Sequence, residues 1–312
     1  MEIRLSQPYS FCRLGRRTTQ EDARFPDEDI PRGGGAVFLV CDGVGGIDCG
    51  EVASHVIADS VGNSLGRYDL SKPFGVSDFG KVLKDAVEKL TVASRHIKKD
   101  MATTLAFLCF HSEGAFMAHI GDSRIYHIRP GVGVLHQTSD HSLVNALVHS
   151  GNITPEEAID HPRKNVITRC IRPIGNGEPA VASTLQVSDV EKGDFFFLCS
   201  DGVSHCIDDV GLLELVSDKA DDETKIRKIE DLCRFSPDNN TAILIRVSDV
   251  VYDADEASKK SLSDSYALSE CDGHSSLTRP LNSLNEEIIE TRDERKKSLG
   301  SRISDFFIRL FN

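Results

Sequence analysis

The sequence has no tryptophan, and only 6% of its 312 residues are aromatic, which removes the stacking platforms that single-stranded nucleic-acid binders use. Positive charge is scarce as well. Lys and Arg number 36 against 49 Asp and Glu, a formal net charge of −13, so the basic surface that phosphate-backbone contacts need is missing and nucleic acid is excluded as a partner. No apolar run approaches the roughly 18 residues of a membrane span, so no transmembrane segment is expected. The opening MEIRLSQPYSFCRLGRR lacks the basic-then-apolar order of a signal peptide, and a cytoplasmic address is the expectation. The nine cysteines form no C-x-x-C pair, and Cys41, Cys109 and Cys199 lie inside apolar runs. They read as small core residues in a reducing compartment, not as a disulfide framework or a zinc site. H-E-x-x-H and other paired-histidine spacings are also absent.

What is present is a repeated oddity. In FLVCDGVGG a continuous apolar run stops on Asp42; DFFFLCSDG stops on Asp201, and MAHIGDSR places Asp122 directly after Gly121. SPDNNTAILIRV reverses the order, with Asp238 just ahead of the apolar run. Short apolar runs bounded by turn residues read as strands buried on both faces. Asp-Gly by itself is ordinary turn chemistry. Four carboxylates at strand ends, spread over some two hundred residues, instead suggest one shared rim. Clustered carboxylates repel unless a cation neutralises them, and an all-oxygen set suits hard ions such as Mg or Mn.

Strands are expected at 36–41, 102–110, 114–120, 124–128, 182–187, 194–199 and 241–247, and long helices at 50–65 and 78–99. Shorter helices are expected at 142–150, 154–160, 209–217 and 222–233; the one at 154 has Thr154 as N-cap, Pro155 in first position and acids in its first turn. Many strands close in sequence, interleaved with long helices, point to antiparallel sheets covered by helices, an α+β fold. One domain is expected over 1–248. Residues 249–297 are serine-rich and charged and read as a flexible linker. In 298–312, Leu299, Ile303, Phe306, Phe307 and Leu310 fall at helical spacing on one face; docking on the same chain, on a partner or on a membrane surface all fit such a helix.

The order Arg17, Glu21-Asp22, Asp42-Gly43, Thr103-Thr104, Gly121-Asp122-Ser123-Arg124, Ser200-Asp201-Gly202, Asp238-Asn239 resembles the metal-dependent serine/threonine protein phosphatases of type 2C, the PPM family. Val44 in DGVGG, NITPEEAIDHP and RKNVITRCI lean toward its bacterial branch. The resemblance covers roughly residues 8–247. It implies a four-layer α-β-β-α sandwich, two antiparallel sheets with a dinuclear metal site at one end. It also implies hydrolysis of phosphoserine and phosphothreonine by a metal-bridged hydroxide, with phosphorylated proteins as substrates and an opposing serine/threonine kinase. By motif position Asp42 bridges two Mn or Mg ions, Asp201 and Asp238 complete one shell, and Glu21 with the Gly43 carbonyl serves the other. Asp122, with Asp201, would support the third, weaker site that family members can show. Asp22, Asn239 and Thr104 would stand behind the ligands and orient them or their waters, and Arg17 would hold the phosphate through two nitrogens.

Two ions about 3.5–4 Å apart can lower the pKa of a bridging water and aim it in line with the leaving oxygen. No covalent phosphoenzyme is then needed, and the sequence has neither the C-x5-R loop nor the D-x-D-x-T motif of phosphatases that form one. Two departures stand out: Gln20 replaces the usual asparagine, and Val44 stands where many eukaryotic relatives carry a histidine acid. A metal-bound water is then the simplest proton donor. The stretch 140–172 corresponds to the flap beside the site. A non-catalytic binding module and a small-molecule phosphatase are the rival readings.

Overall fold

The structure is a computed structural model that describes residues 1–27, 36–45, 49–175 and 181–252. The strands are β1 (Glu2–Leu5), β2 (Tyr9–Arg13), β3 (Asp22–Phe25), β4 (Val37–Asp42), β5 (Leu105–His111), β6 (Gly114–Ile120), β7 (Arg124–Arg129), β8 (Gly133–Gln137), β9 (Ser183–Val187), β10 (Phe195–Cys199) and β11 (Asn240–Val251). The helices are α1 (Gly50–Leu65), α2 (Val76–Ile97), α3 (Leu143–His149), α4 (Pro155–Ile159), α5 (Asp201–Ser204), α6 (Asp209–Ser217) and α7 (Asp222–Cys233). One sheet runs β3-β4-β5-β6-β9; the other runs β1-β11-β10-β7-β8, with β2 also paired to β11. Every named pairing is antiparallel.

The continuous apolar runs are explained by what lies on either side of each strand. Phe38 and Val40 of β4 point inward and meet Ala106, Leu108, Phe196, Leu198, Ile243 and Ile245 between the two sheets. The alternate residues Leu39 and Cys41 face the other way, onto Ala53, Ile57 and Val61 of α1 and Phe79 and Leu90 of α2. The opposite sheet repeats the arrangement, with Phe195, Phe197, Ala242 and Leu244 packed on Leu212 and Val216 of α6 and Ile226 and Ile229 of α7. Four layers follow, helix, sheet, sheet, helix, and strands apolar on both faces are their signature.

The expected helices form, and α4 starts with the anticipated capping box between Thr154 and Glu157. Four strands were not foreseen, β1, β2, β3 and β8. Each has five residues or fewer and is at least half made of positions that are not buried, so its apolar alternation is too short to register. The strand expected from 102 starts at Leu105. Thr103 instead forms isolated bridges to Gly43 and Ile171. The last strand runs past 247 to Val251, because its second half finds β1 as a partner. The linker expected from 249 therefore does not begin there, since 249–251 are paired in β11; its remainder beyond residue 252 and the terminal helix at 298–312 lie outside the described residues.

Candidate metal centre

Antiparallel pairing brings the strand ends to one rim. Asp42 closes β4 and stands opposite Asp22, the first residue of β3. Asp122 sits in the turn between β6 and β7, Asp201 opens α5 directly after β10, and Asp238 precedes β11. β10 lies between β7 and β11, so the last three carboxylates come from adjacent strands.

Their electrostatics is that of an uncompensated cluster. Burial, and then the charges of Asp22, Asp201, Asp122 and Asp238, hold the Asp42 carboxyl well above the usual range. Burial and neighbouring carboxylates push Asp22 and Asp122 up to about 7 each. Asp201 is pushed up to about 6 by burial and by Asp238, against the pull of Arg17. Glu21 is raised by its burial and by Glu51. Such shifts mean that bringing these groups together in ionised form is costly without a cation.

The surrounding hydrogen bonds orient the carboxylates but do not satisfy them. The Asp42 backbone N–H donates to Thr104 Oγ1 at 2.9 Å, and that hydroxyl meets Ser123 Oγ at 2.7 Å. Ser200 Oγ donates to Asp22 Oδ2 at 2.8 Å and accepts from Thr241 N at 3.0 Å. Asn239 ties three chain segments: Oδ1 accepts from Glu21 N, and Nδ2 donates to the carbonyls of Leu14 and Thr19. Yet Asp22 Oδ1 and Asp201 Oδ1 are buried without a hydrogen-bond partner. A buried carboxylate oxygen left in that state is costly unless a further ligand meets it.

The shape of the rim agrees. A Cβ at Gly43 would lie 2.5 Å from the Gly50 carbonyl carbon, and one at Gly50 would lie 2.8 Å from Glu21 Oε2. These two glycines let the β4 end and the start of α1 close against the Glu21 carboxylate. Among the described residues no group of three or more His, Cys, Asp or Glu side chains is drawn together tightly enough to enclose an ion by itself. Hard ions that retain several waters take only one or two carboxylates each. Orphaned oxygens, an all-oxygen donor set and the glycine-lined approach therefore fit Mg or Mn bound partly through water.

Arg17 is half exposed at the edge of this rim and donates through Nη2 to Asp238 Oδ2 at 2.6 Å. Asp238 is its only ion-pair partner among the described residues. The flap segment is pinned beside Asp122: Arg124 grips Asp140 through Nε and Nη2 at 2.8 and 2.7 Å, and His141 N donates to Gly121 O at 2.9 Å. Val44 hydrogen-bonds through its backbone N–H to Ala102 O, and its side chain offers no proton.

All the residues expected at the site thus lie on or directly behind one rim. The sequence reading gave no part to Gly15 or Gly50 and named Ser123 and Ser200 only within motifs. The hydroxyl partnerships span up to 178 residues of chain, and nothing local in the sequence marks them.

Residues 19–241 match the family model described as "Protein phosphatase 2C". The chain is 32% identical to the protein phosphatase PhpP of Streptococcus pneumoniae over 241 residues, 75% of this chain and 94% of that protein. The crystal structure of the Mycobacterium tuberculosis serine/threonine phosphatase PstP superposes with a TM-score of 0.66 at 25% identity, covering 78% of this chain and 99% of that one. A catalytic domain of PstP solved in complex with two manganese ions gives 0.63 at 26% identity, covering 80% of this chain and 100% of that one.

Proposed function

This chain belongs to the protein phosphatase 2C family, and from that premise we propose that it hydrolyses phosphoserine and phosphothreonine in proteins at the rim of Asp42, Asp122, Asp201 and Asp238. One observation carries the reading. Asp42, Asp122 and Asp201 meet from separate strand ends with raised pKa values, and Asp201 Oδ1 and, behind them, Asp22 Oδ1 are buried without a partner. Asp42, Asp201 and Asp238 would hold one Mn or Mg ion, in part through its retained waters, and Asp42, Glu21 and the Gly43 carbonyl a second. Asp122 with Asp201 would hold a weaker third. When bound, these ions neutralise charge on the phosphate and activate water for in-line attack.

The chain's own part is positioning. Arg17 is anchored at one nitrogen by Asp238, so its remaining N–H groups face a phosphate with their direction already set. Thr104 and Ser123 fix the end of β4, while Ser200 fixes Asp22 across from it. Asn239 holds the Glu21 backbone in register with the Leu14–Thr19 loop. Arg124 and Asp140 brace the flap against the Asp122 turn.

An opposing serine/threonine kinase and a cytoplasmic address belong to the same reading. The latter is supported by the free thiols of the described cysteines, which suit a reducing compartment. Among the described residues no helix is long and apolar enough to cross a membrane. The direct test is turnover of a phosphothreonine peptide by wild type and Asp42→Asn with Mn, with Mg and with chelator. Metal-dependent turnover that disappears in the variant is expected. Turnover that persists in chelator, or in the variant, would refute the reading.

A further inference from the structure

Two loops that carry the phosphate edge of the site are locked to each other. The loop after β2 holds Leu14, Gly15, Arg16 and Arg17; the loop after α7 holds Arg234, Phe235, Ser236 and Asp238. Arg16 N donates to Ser236 O at 3.0 Å and Asn239 Nδ2 to Leu14 O at 2.9 Å. Gly15 sits at φ 59°, and a Cβ there would lie 2.1 Å from Asp238 O, so the loops meet backbone to backbone. Arg13 at the end of β2 also pairs with Glu230 of α7. The result is one ridge of fixed shape.

The surface of that ridge combines exposed apolar side chains with arginines. Leu14 is 42% exposed, Leu232 47% and Phe235 67%, and the Arg234 guanidinium lies 5.7 Å from the centre of the Phe235 ring. Arg13 and Arg17 are paired with Glu230 and Asp238. Arg16 and Arg234 have no ion-pair partner among the described residues. Exposed apolar side chains gathered beside unpaired cations on a rigid support are the features of a contact surface, since each would gain by being covered. Leu14 stands three positions before Arg17 and Phe235 three before Asp238. The patch therefore begins within about 11 Å of the phosphate edge, the span of about three residues of an extended peptide.

We propose that this ridge reads the residues flanking the phosphorylated side chain in a protein substrate, with an apolar residue packing on Leu14 and Phe235 and an acidic residue meeting Arg16 or Arg234. The proposal rests on the phosphatase reading and adds a sequence preference to it. Only a substrate with the phosphate seated at Arg17 can use the patch in this way, which is why a phosphopeptide is its occupant.

The test compares kcat/KM on three substrates: p-nitrophenyl phosphate, a phosphothreonine peptide flanked by Leu and Asp, and one of equal length flanked by Gly and Lys. Wild type, Phe235→Ser and the double variant Arg16→Ala with Arg234→Ala are used. Wild type is expected to prefer the Leu/Asp peptide roughly tenfold or more, the size of one apolar side chain covered. Phe235→Ser should remove most of that preference, chiefly through KM. The double variant should remove the part due to Asp. The ratio between two peptides on the same preparation is insensitive to a loss of folded enzyme. Equal rates on both peptides in wild type, or an undiminished preference in Phe235→Ser, would overturn the proposal while turnover of p-nitrophenyl phosphate upholds the phosphatase reading. No turnover on any of the three would overturn that reading and the ridge's role with it.

Discussion

Asp194 and Asp201 flank the same strand, β10, at its opposite ends, and their environments differ in sign. Asp194 is fully buried and accepts hydrogen bonds from His127 Nε2, from Arg129 Nε and Nη2, and from the Glu191 N–H, at 2.8–3.0 Å. Burial alone would raise its pKa, but these partners outweigh it and hold the carboxyl at about 2. Asp201 has one buried oxygen without a partner and a pKa of about 6. At the Asp194 end the orphan is a ring nitrogen, His127 Nδ1. A buried carboxylate supplied with its own counter-charges is part of the scaffold. One surrounded by like charge and left short of a partner is waiting for a cation from outside the chain.

The contrast breaks most visibly under neutralising substitutions. Asp42→Asn should lower metal-dependent kcat/KM by roughly 10⁴-fold, about 5 kcal/mol of transition-state stabilisation. In chelator the same variant should melt no lower than wild type, because it removes repulsion. Asp194→Asn should do the reverse. Loss of about 3–5 kcal/mol in denaturant unfolding is expected, since Arg129 loses its buried carboxylate partner and His127 Nε2 its charged acceptor, with kcat of the remaining folded enzyme close to wild type. A large kcat loss in Asp194→Asn, or strong destabilisation in Asp42→Asn, would undo the distinction.

Smaller effects sharpen it. Ser200→Ala removes the donor to Asp22 Oδ2, and a fall in metal affinity of roughly 10–100-fold is expected by Mn titration. The pH dependence of melting should separate the two ends. In chelator, Asp22, Asp122 and Asp201 have folded pKa values of about 6–7, above the unfolded value. Their contribution is complete below about pH 4 and is lost as pH rises through 6–7, so the melting temperature should fall across that interval. Excess Mn should flatten this slope. Asp194, with its depressed pKa, contributes above about pH 4 and loses that contribution as pH falls toward 2. Only that acid limb should vanish in Asp194→Asn.

Much of the candidate site was legible because three of its carboxylates interrupt apolar runs. Asp42 ends VFLVC and Asp201 follows FFFLCS, while Asp122 follows Gly121 at the end of β6. These strands are buried on both faces, so a charge at the end of each is conspicuous. Glu21 and Asp22 were placed by resemblance alone, since β3 is only four residues long and half-buried. The ridge of Leu14 and Phe235 gave no sign: neither belongs to an apolar pattern, and their exposure depends on two loops more than two hundred residues apart. Gly15 was equally silent and Gly202 appeared only as part of a motif, although a Cβ on either would strike the backbone at Asp238 or Asn239.

By itself the sequence determined the helices, the doubly buried strands, the charged ends of those strands and the family to which the chain belongs. The elements rest on periodicity along short stretches of chain, and the family on the order of short motifs from Arg17 to Asn239. Tertiary structure alone decided which buried aspartate received counter-charges, which hydroxyls brace the rim, and which apolar side chains remained uncovered. The reason is that hydrogen bonding, burial and mutual repulsion depend on distance in space, and antiparallel pairing brings Asp22 against Asp42, and Ser200 against Asp22, across stretches of chain that share no local pattern.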